Sequence, residues 1–316
     1  MEIGWERTLP LVKINDELII RLFKGVVNAE DIVHIDLFDE GCRTTNYMIS
    51  TKSENKYVLK IFYENDKSYK KDISLFNIIK NNIPVQDISK MDFDKCINNK
   101  QYMIYRYIDG NSISQYLNQG KKLTKELVKA VASVLGKVHN IKFEKRGYLD
   151  ENLNVIGEIE SIENLFNKYI NDNVKSRLGN ENINKIKSII YKYEEELSYI
   201  EKDSRLIHGD FQGTNIIINN EMVSGIIDWE FCMSGSPLMD IGQFFRYEEY
   251  FDNELIIAFE NEYKKACDYK LMDNWYNISK IIDLLSLIQL MNRDEDMPNK
   301  YNKIIQIIEV VIEKFY

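Results

Sequence analysis

The sequence predicts an α+β fold, with an antiparallel sheet and a helix in its first third and a larger, mostly helical part after it. Three observations predict it. Short apolar runs at 32–38, 46–51 and 57–62 are separated by polar turns, the pattern of paired strands. From Ser112 onward apolar residues recur at helical spacing, as at Val128, Val131, Leu135 and Val138. A second strand pair, Ile216 to Ile218 and Val223 to Ile227, turns around Asn219-Asn220-Glu221 within the helical part.

In chain order, residues 14–26 form an amphipathic pattern and predict the first helix. Strands 32–38 and 46–51 flank Asp39-Glu-Gly-Cys-Arg-Thr-Thr45. The next strand, Tyr57 to Phe62, carries Lys60 among apolar neighbours, so that charge needs a partner. A helix spans roughly Lys67 to Asn81, with Ile73, Phe76 and Ile79 on one side. Gln101 to Ile108 reads as a strand running into Asp109-Gly110. Residues 157–200 hold two amphipathic helical stretches divided near Leu178-Gly179-Asn180. Residues 253–316 read as helical throughout, with a core stripe at Leu284, Leu285, Leu287 and Ile288. No repeat, low-complexity run or flexible linker separates the chain into independent pieces.

With 316 residues, 44% of them hydrophobic, the chain can bury a substantial core. Cys42, Cys96, Cys232 and Cys267 are widely spaced, which fits reduced thiols and excludes a CxxC metal or redox site. His34, His139 and His208 are too scattered to suggest zinc. The N-terminal residues lack the basic-then-apolar pattern of a signal peptide, and no apolar run is long enough to span a membrane. A cytoplasmic protein without a membrane partner is expected. The net charge of −9 is uneven: residues 51–150 carry 19 Lys and Arg against 11 Asp and Glu, and residues 201–316 carry 11 against 21. A basic early half suits a triphosphate and an acidic late half suits a cationic acceptor. The overall acidity argues against a nucleic-acid partner. Nothing in the sequence fixes the oligomeric state; a monomer is favoured.

The chemistry is concentrated in His208-Gly-Asp210-Phe-Gln-Gly-Thr-Asn215 and Ile227-Asp228-Trp229-Glu230. Asp210 can take a proton from an attacking hydroxyl. Asn215 and Asp228 are hard oxygen ligands suited to Mg²⁺, and the intervening hairpin brings them together. Turn residues and a strand end would account for any one of these residues alone, but not for the set. His139 is expected to cap or pack its helix.

On these residues, with Ser234-Gly-Ser-Pro-Leu-Met-Asp-Ile-Gly242, Tyr57-Val-Leu-Lys60 and Ile108-Asp-Gly110, the chain resembles the aminoglycoside phosphotransferase and choline kinase-like family. The resemblance covers most of the chain. It implies a bilobed protein-kinase-like fold, with residues 1–107 as the nucleotide-binding lobe and 108–316 as the catalytic and substrate lobe. It implies ATP or GTP as donor with Mg²⁺, Lys60 on the donor phosphates, and Asp240 and His208 as anchors of the catalytic loop rather than reacting groups. Lys60 would pair with Asp72, or alternatively with Glu64. Gly41, Thr44 and Thr45 would form the nucleotide loop, for which an ordinary hairpin turn is the other reading. Backbone groups of Arg106, Tyr107 and Ile108 would meet the base, and Tyr105 would guard the pocket behind it. Glu230 would reach the acceptor or hold its loop. Glu248 and Glu249, with Tyr247 and Tyr250, would line a cation-binding cleft or lie as surface acids. The acceptor is expected to be an aminoglycoside-like alcohol. The alternatives are choline, a sugar, a macrolide or another hydroxylated metabolite, and, from another class, a catalytically silent nucleotide-binding protein. The segment after Asp228 is too short for a regulated peptide platform, which argues against a protein kinase.

Overall fold

Helix α1 (Asp16–Leu22) precedes strands β1 (Ile32–Phe38), β2 (Thr45–Thr51) and β3 (Lys56–Ile61) in the computed structural model, which describes residues 4–38, 41, 43–63, 68–97 and 99–316. Helix α2 (Ser68–Ile79), β4 (Ile88–Ile97) and β5 (Lys100–Arg106) complete the first part. Then come β6 (Asn111–Ser112), α3 (Ile113–Asn118), α4 (Lys125–His139), β7 (Gly147–Leu149) and β8 (Val155–Gly157). Helices α5 (Ile162–Tyr169), α6 (Asp172–Lys192) and α7 (Glu194–Ile200) follow. After them lie β9 (Arg205–Ile207), β10 (Ile216–Asn219), β11 (Met222–Ile226) and β12 (Met233–Gly235). The chain ends in α8 (Pro237–Phe244), α9 (Asn253–Ala266), α10 (Trp275–Met291) and α11 (Pro298–Phe315).

Strands β1 to β5 make one antiparallel sheet in the order β1-β2-β3-β5-β4. The period of two sorts its residues between faces. Tyr57, Leu59, Ile61, Tyr102 and Ile104 pack with Ile19, Leu22 and Phe23 of the α1 region. Val58, Met103 and Tyr105 pack together on the other side. Lys60 shares the register of Val58 and pairs with Met103, so its ammonium is carried to that second side. Edge strand β4 has no sequence signal of its own, because Lys90, Asp92, Asp94 and Lys95 break the apolar pattern of its sequence.

The larger core belongs to the helical part. In α10, Leu284, Leu285, Leu287 and Ile288 are all buried, as the stripe predicts. The region from 253 is not one continuous run but α9, α10 and α11, broken at 267–274 and 292–297. The region 157–200 forms three helices rather than two. The expected break at Gly179 is a kink within α6, with φ 77° and ψ 156°, and further breaks fall after Tyr169 and Lys192. Helix α2 packs with this larger core through Leu75 and Ile79. Lys71 Nζ also donates to the carbonyls of Glu230 (2.8 Å) and Cys232 (3.3 Å), and Ser74 Oγ to that of Glu151 (2.6 Å). Among the described residues, no helix is long and apolar enough to cross a membrane.

The predicted hairpin is β10 and β11, with Ile216 opposite Ile226 and Asn219 opposite Met222. Asn220 and Glu221 both have positive φ, 48° and 61°, the backbone of a two-residue type I′ turn.

Candidate active site

Strand β9 delivers His208, Gly209 and Asp210 into a loop braced by α8. Asp240 accepts from the backbone N–H groups of His208 (2.7 Å) and Gly209 (2.9 Å), and its Oδ2 lies 3.1 Å from His139 Nε2. Gln243, three residues on and so on the same helix face, accepts from Phe211 N–H (2.7 Å) and donates to Gly209 C=O (2.9 Å). Arg246 continues this face, donating to Gln212 Oε1 (2.8 Å) while Asp283 holds it at 2.7 Å. The His208 ring stands 2.9 Å from the Ile227 carbonyl through Nε2, and its Nδ1 accepts from Asp210 N–H (3.2 Å). These partners place the ring proton on Nε2. Gly209 has φ +79°, and a Cβ there would meet the Phe231 carbonyl oxygen at 2.4 Å, so the loop requires glycine.

Asn215 Nδ2 donates to both the carbonyl and the Oδ2 of Asp210, each at 2.9 Å, leaving its amide oxygen for another partner. Burial pushes the Asp210 carboxyl above its ordinary value; His208 and Arg246 oppose this and the Asp228 charge adds to it. Asp228 follows β11 in the left-handed region (φ 69°, ψ 57°), where aspartate is better tolerated than most residues. Its Oδ1 lies 2.5 Å from Lys60 Nζ. Burial disfavours both charges, but their mutual attraction holds Asp228 below and Lys60 above their ordinary values. Lys60, Asp210, Asn215 and Asp228 all line one cleft of about 820 Å³.

The expected Lys60–Asp72 pair is not formed. Lys60 pairs with Asp228, and the aspartate, one methylene shorter than glutamate, instead accepts from Tyr105 Oη at 3.4 Å. Glu64, the alternative partner, lies outside the described residues. Burial is the largest influence on Asp72, and with Asp228 it outweighs Lys60, raising its pKa to about 6. In the unfolded chain this carboxyl ionises near 3.8, so the folded state binds more protons between the two values. Its contribution to stability is therefore full below pH 3.8 and is lost as pH rises through about 6. Asp72→Asn is expected to remove this fall. The melting-temperature difference between wild type and variant, followed from pH 4 to 7, checks it; a difference that does not vary with pH would count against the assignment.

Thr45 is a correction: its buried hydroxyl accepts from Val12 N–H (2.9 Å), because the first residue of β2 turns towards the N-terminal segment. Gly41 and Thr44 do line the cleft. Along the proposed hinge, Arg106 is exposed and outside the cleft lining, and its N–H donates to Asp87 C=O (2.8 Å). The Tyr107 N–H is taken by Lys56 C=O (3.0 Å), which leaves the Ile108 amide as the remaining donor of the three. Tyr105, Tyr107 and Ile108 line the cleft. Glu230 lines it too, 3.9 Å from Arg43.

Glu248 and Glu249 fall outside the cleft lining. Glu248 sits 3.2 Å from the buried Lys280 and 3.4 Å from Lys314; Glu249 is exposed, and Tyr247 is buried in the core. From residues 201–316 the cleft takes the acids Asp210, Asp228 and Glu230, offset by the bases Arg293 and Lys300. Sequence reasoning missed these two, along with Trp5, Arg7, Arg43 and Gln212. Gln212 and Arg43 lie inside the motif and the loop already singled out, but Trp5, Arg7, Arg293 and Lys300 have no local spacing to mark them, because they meet only through the tertiary fold.

The sequence model of the phosphotransferase enzyme family matches residues 34–275. The chain belongs to this family and is a phosphotransferase acting on hydroxyl groups. Its fold is that of small-molecule kinases. A thermostable mutant of aminoglycoside phosphotransferase APH(4)-Ia, solved with ADP and hygromycin B, superposes with TM-score 0.64 at 13% identity, covering 94% of this chain and 97% of that one. The ADP-bound aminoglycoside phosphotransferase APH(2'')-Ib gives 0.61 at 17% identity, over 95% and 99%. A putative aminoglycoside phosphotransferase from Ralstonia eutropha gives 0.62 at 11% identity, over 95% and 98%. No curated protein matches the sequence significantly.

Proposed function

We propose that the chain transfers the γ-phosphate of ATP or GTP to a hydroxyl of an aminoglycoside-like acceptor, with residues 1–107 binding nucleotide and 108–316 carrying catalysis and the acceptor. The observation that carries this reading is the convergence of Lys60, Asp210, Asn215 and Asp228 on one cleft. Intact chemistry at all four positions argues against a silent binding protein. The aminoglycosides in related structures, hygromycin B in APH(4)-Ia and streptomycin in APH(2'')-IIa, support the acceptor class.

The donor set suits Mg²⁺. Among the described residues no three His, Cys, Asp or Glu gather as a protein-only cage. A carboxylate and an amide oxygen fit an ion that takes its other ligands from phosphates and water. Asp228 and Asn215 would hold it, and when bound it would neutralise charge on the transferring phosphoryl group. Lys60 is placed to bind donor phosphates. Asp210, oriented by Asn215, is placed to hold the acceptor hydroxyl and take its proton. The raised proton affinity of Asp210 favours that last step.

The test is a screen of purified protein with ATP and GTP against aminoglycosides, choline, macrolides and sugars. Acceptor-dependent release of nucleoside diphosphate with an aminoglycoside supports the reading. Turnover confined to choline or sugars would replace the acceptor, and none with any alcohol would sink it.

Tyr105 makes a separate prediction about the donor. Its hydroxyl is held by Asp72 and by Met103 Sδ (3.2 Å), so the ring is fixed where it narrows the cleft. GTP is expected to serve at least as well as ATP. Tyr105→Ala is expected to raise kcat/KM for ATP by roughly tenfold more than for GTP, the scale of a change in one pocket wall. A strong wild-type preference for ATP that survives the substitution would remove Tyr105 from base selection.

A further inference from the structure

Trp5, Glu6 and Arg7 join two sides of the cleft that are far apart in sequence. The Glu6 carboxylate accepts from the backbone N–H groups of Asn299 (2.8 Å) and Lys300 (3.1 Å) in the first turn of α11, amides that no helical carbonyl can satisfy. Arg7, the next residue, reaches the other way. Its Nη2 donates to Thr44 C=O (2.8 Å) and its Nη1 to Gly41 C=O. Trp5 and Arg7 both line the cleft, and Lys300 Nζ lies 5.2 Å from the Trp5 ring centre.

We propose that Trp5–Arg7 is a strap through which the helical part holds the nucleotide loop, with Arg7 as a positioning residue for the donor phosphates. This rests on the kinase reading above. The nucleotide loop carries a single glycine, Gly41 at φ +99°, so its phosphate contacts rest on where its backbone is held. A loop held in advance spares donor binding the conformational entropy of ordering it. A guanidinium fork engaging two loop carbonyls fixes the loop beforehand, and its planar geometry is one that lysine cannot supply. The Arg7 guanidinium lies in the same cleft as Arg43 and Lys60, whose charges are partnered by Glu230 and Asp228. The fork holds the loop only if its own backbone is fixed, and Glu6 provides that anchor on α11.

The test titrates Mg²⁺·ADP and Mg²⁺·AMP-PNP into the full chain and into Arg7→Met, Arg7→Lys, Glu6→Ala and the Glu6→Ala/Arg7→Met double variant, with thermal melts alongside. Arg7→Met is expected to weaken donor binding about tenfold, the scale of a lost charge-assisted contact, and Arg7→Lys to recover part of that loss. Glu6→Ala is expected to weaken it severalfold although the contacts of its carboxylate among the described residues are with α11. The double variant is expected to bind no more weakly than Arg7→Met alone, because both act through one strap. Should Arg7→Met fail to fold, Arg7→Lys and Glu6→Ala carry the test. Unchanged donor affinity with only a lowered melting temperature would overturn the proposal, as would additive losses in the double variant. A wild type that binds neither nucleotide would overturn the kinase reading instead.

Discussion

Asp210→Asn lowers kcat by roughly 10²–10⁴-fold, the range of a lost general base, while Mg²⁺·nucleotide binds as in wild type. The asparagine still accepts from Asn215, so the loop keeps its shape; it cannot take the acceptor proton. Asp210 makes no direct contact with Lys60, which pairs with Asp228, so donor binding is left alone. Steady-state kinetics with a true acceptor, beside calorimetry of donor binding, separate the two effects. Basal nucleotide hydrolysis is not the measure, because water can attack without that carboxylate. Retention of more than a few per cent of kcat would end the general-base assignment.

Asp228→Ala is expected to weaken Mg²⁺-dependent nucleotide binding at least about tenfold more than Asn215→Ala, because it removes a charge where the other removes a dipole. It also strands Lys60, an ammonium whose side chain is only 12% exposed. The melting temperature should therefore fall with Asp228→Ala. Asn215→Ala frees the Asp210 carboxylate instead and should act mainly on kcat. Mg²⁺ titrations of both variants decide it. Equal and negligible effects would mean that the hairpin does not hold the ion.

Local patterns carried most of the fold. The alternation around Lys60, the apolar stripe of α10 and the hairpin before Asp228 each lie within a few residues, and each formed as the pattern predicts. The meeting of Asp210, Asn215 and Asp228 was legible for a similar reason, since motif spacing encodes it, whereas Lys60 was assigned to the same site through the family resemblance. Contacts that depend on which distant elements meet were not legible. Thr45 faces Val12 rather than the cleft because a segment thirty-odd residues upstream packs on β2. Asp72 fails to reach Lys60 by geometry that no pattern reports. Glu248 looked available because Lys280 and Lys314, which engage it, come from two later helices. Trp5 and Arg7 flank Glu6, which is bonded to the start of α11 almost three hundred residues away, a meeting no local pattern encodes.

Helix α2 lies between the third and fourth of the sheet's five strands in sequence, yet Leu75 and Ile79 are built into the helical core, and Lys71 grips two carbonyls just beyond Asp228. In mechanical terms the cleft has one jaw bolted to the frame: Asp72 rides with the frame and Lys60 with the opposite jaw. The consequence we expect is that α2 amides exchange hydrogen with the slow opening of the helical core, not with the sheet; exchange that tracks β3 would contradict it. With Tyr69 and Ile73 also packed on the sheet side, a helix fastened in this way is expected to move little, so turnover would follow the supply of donor and acceptor.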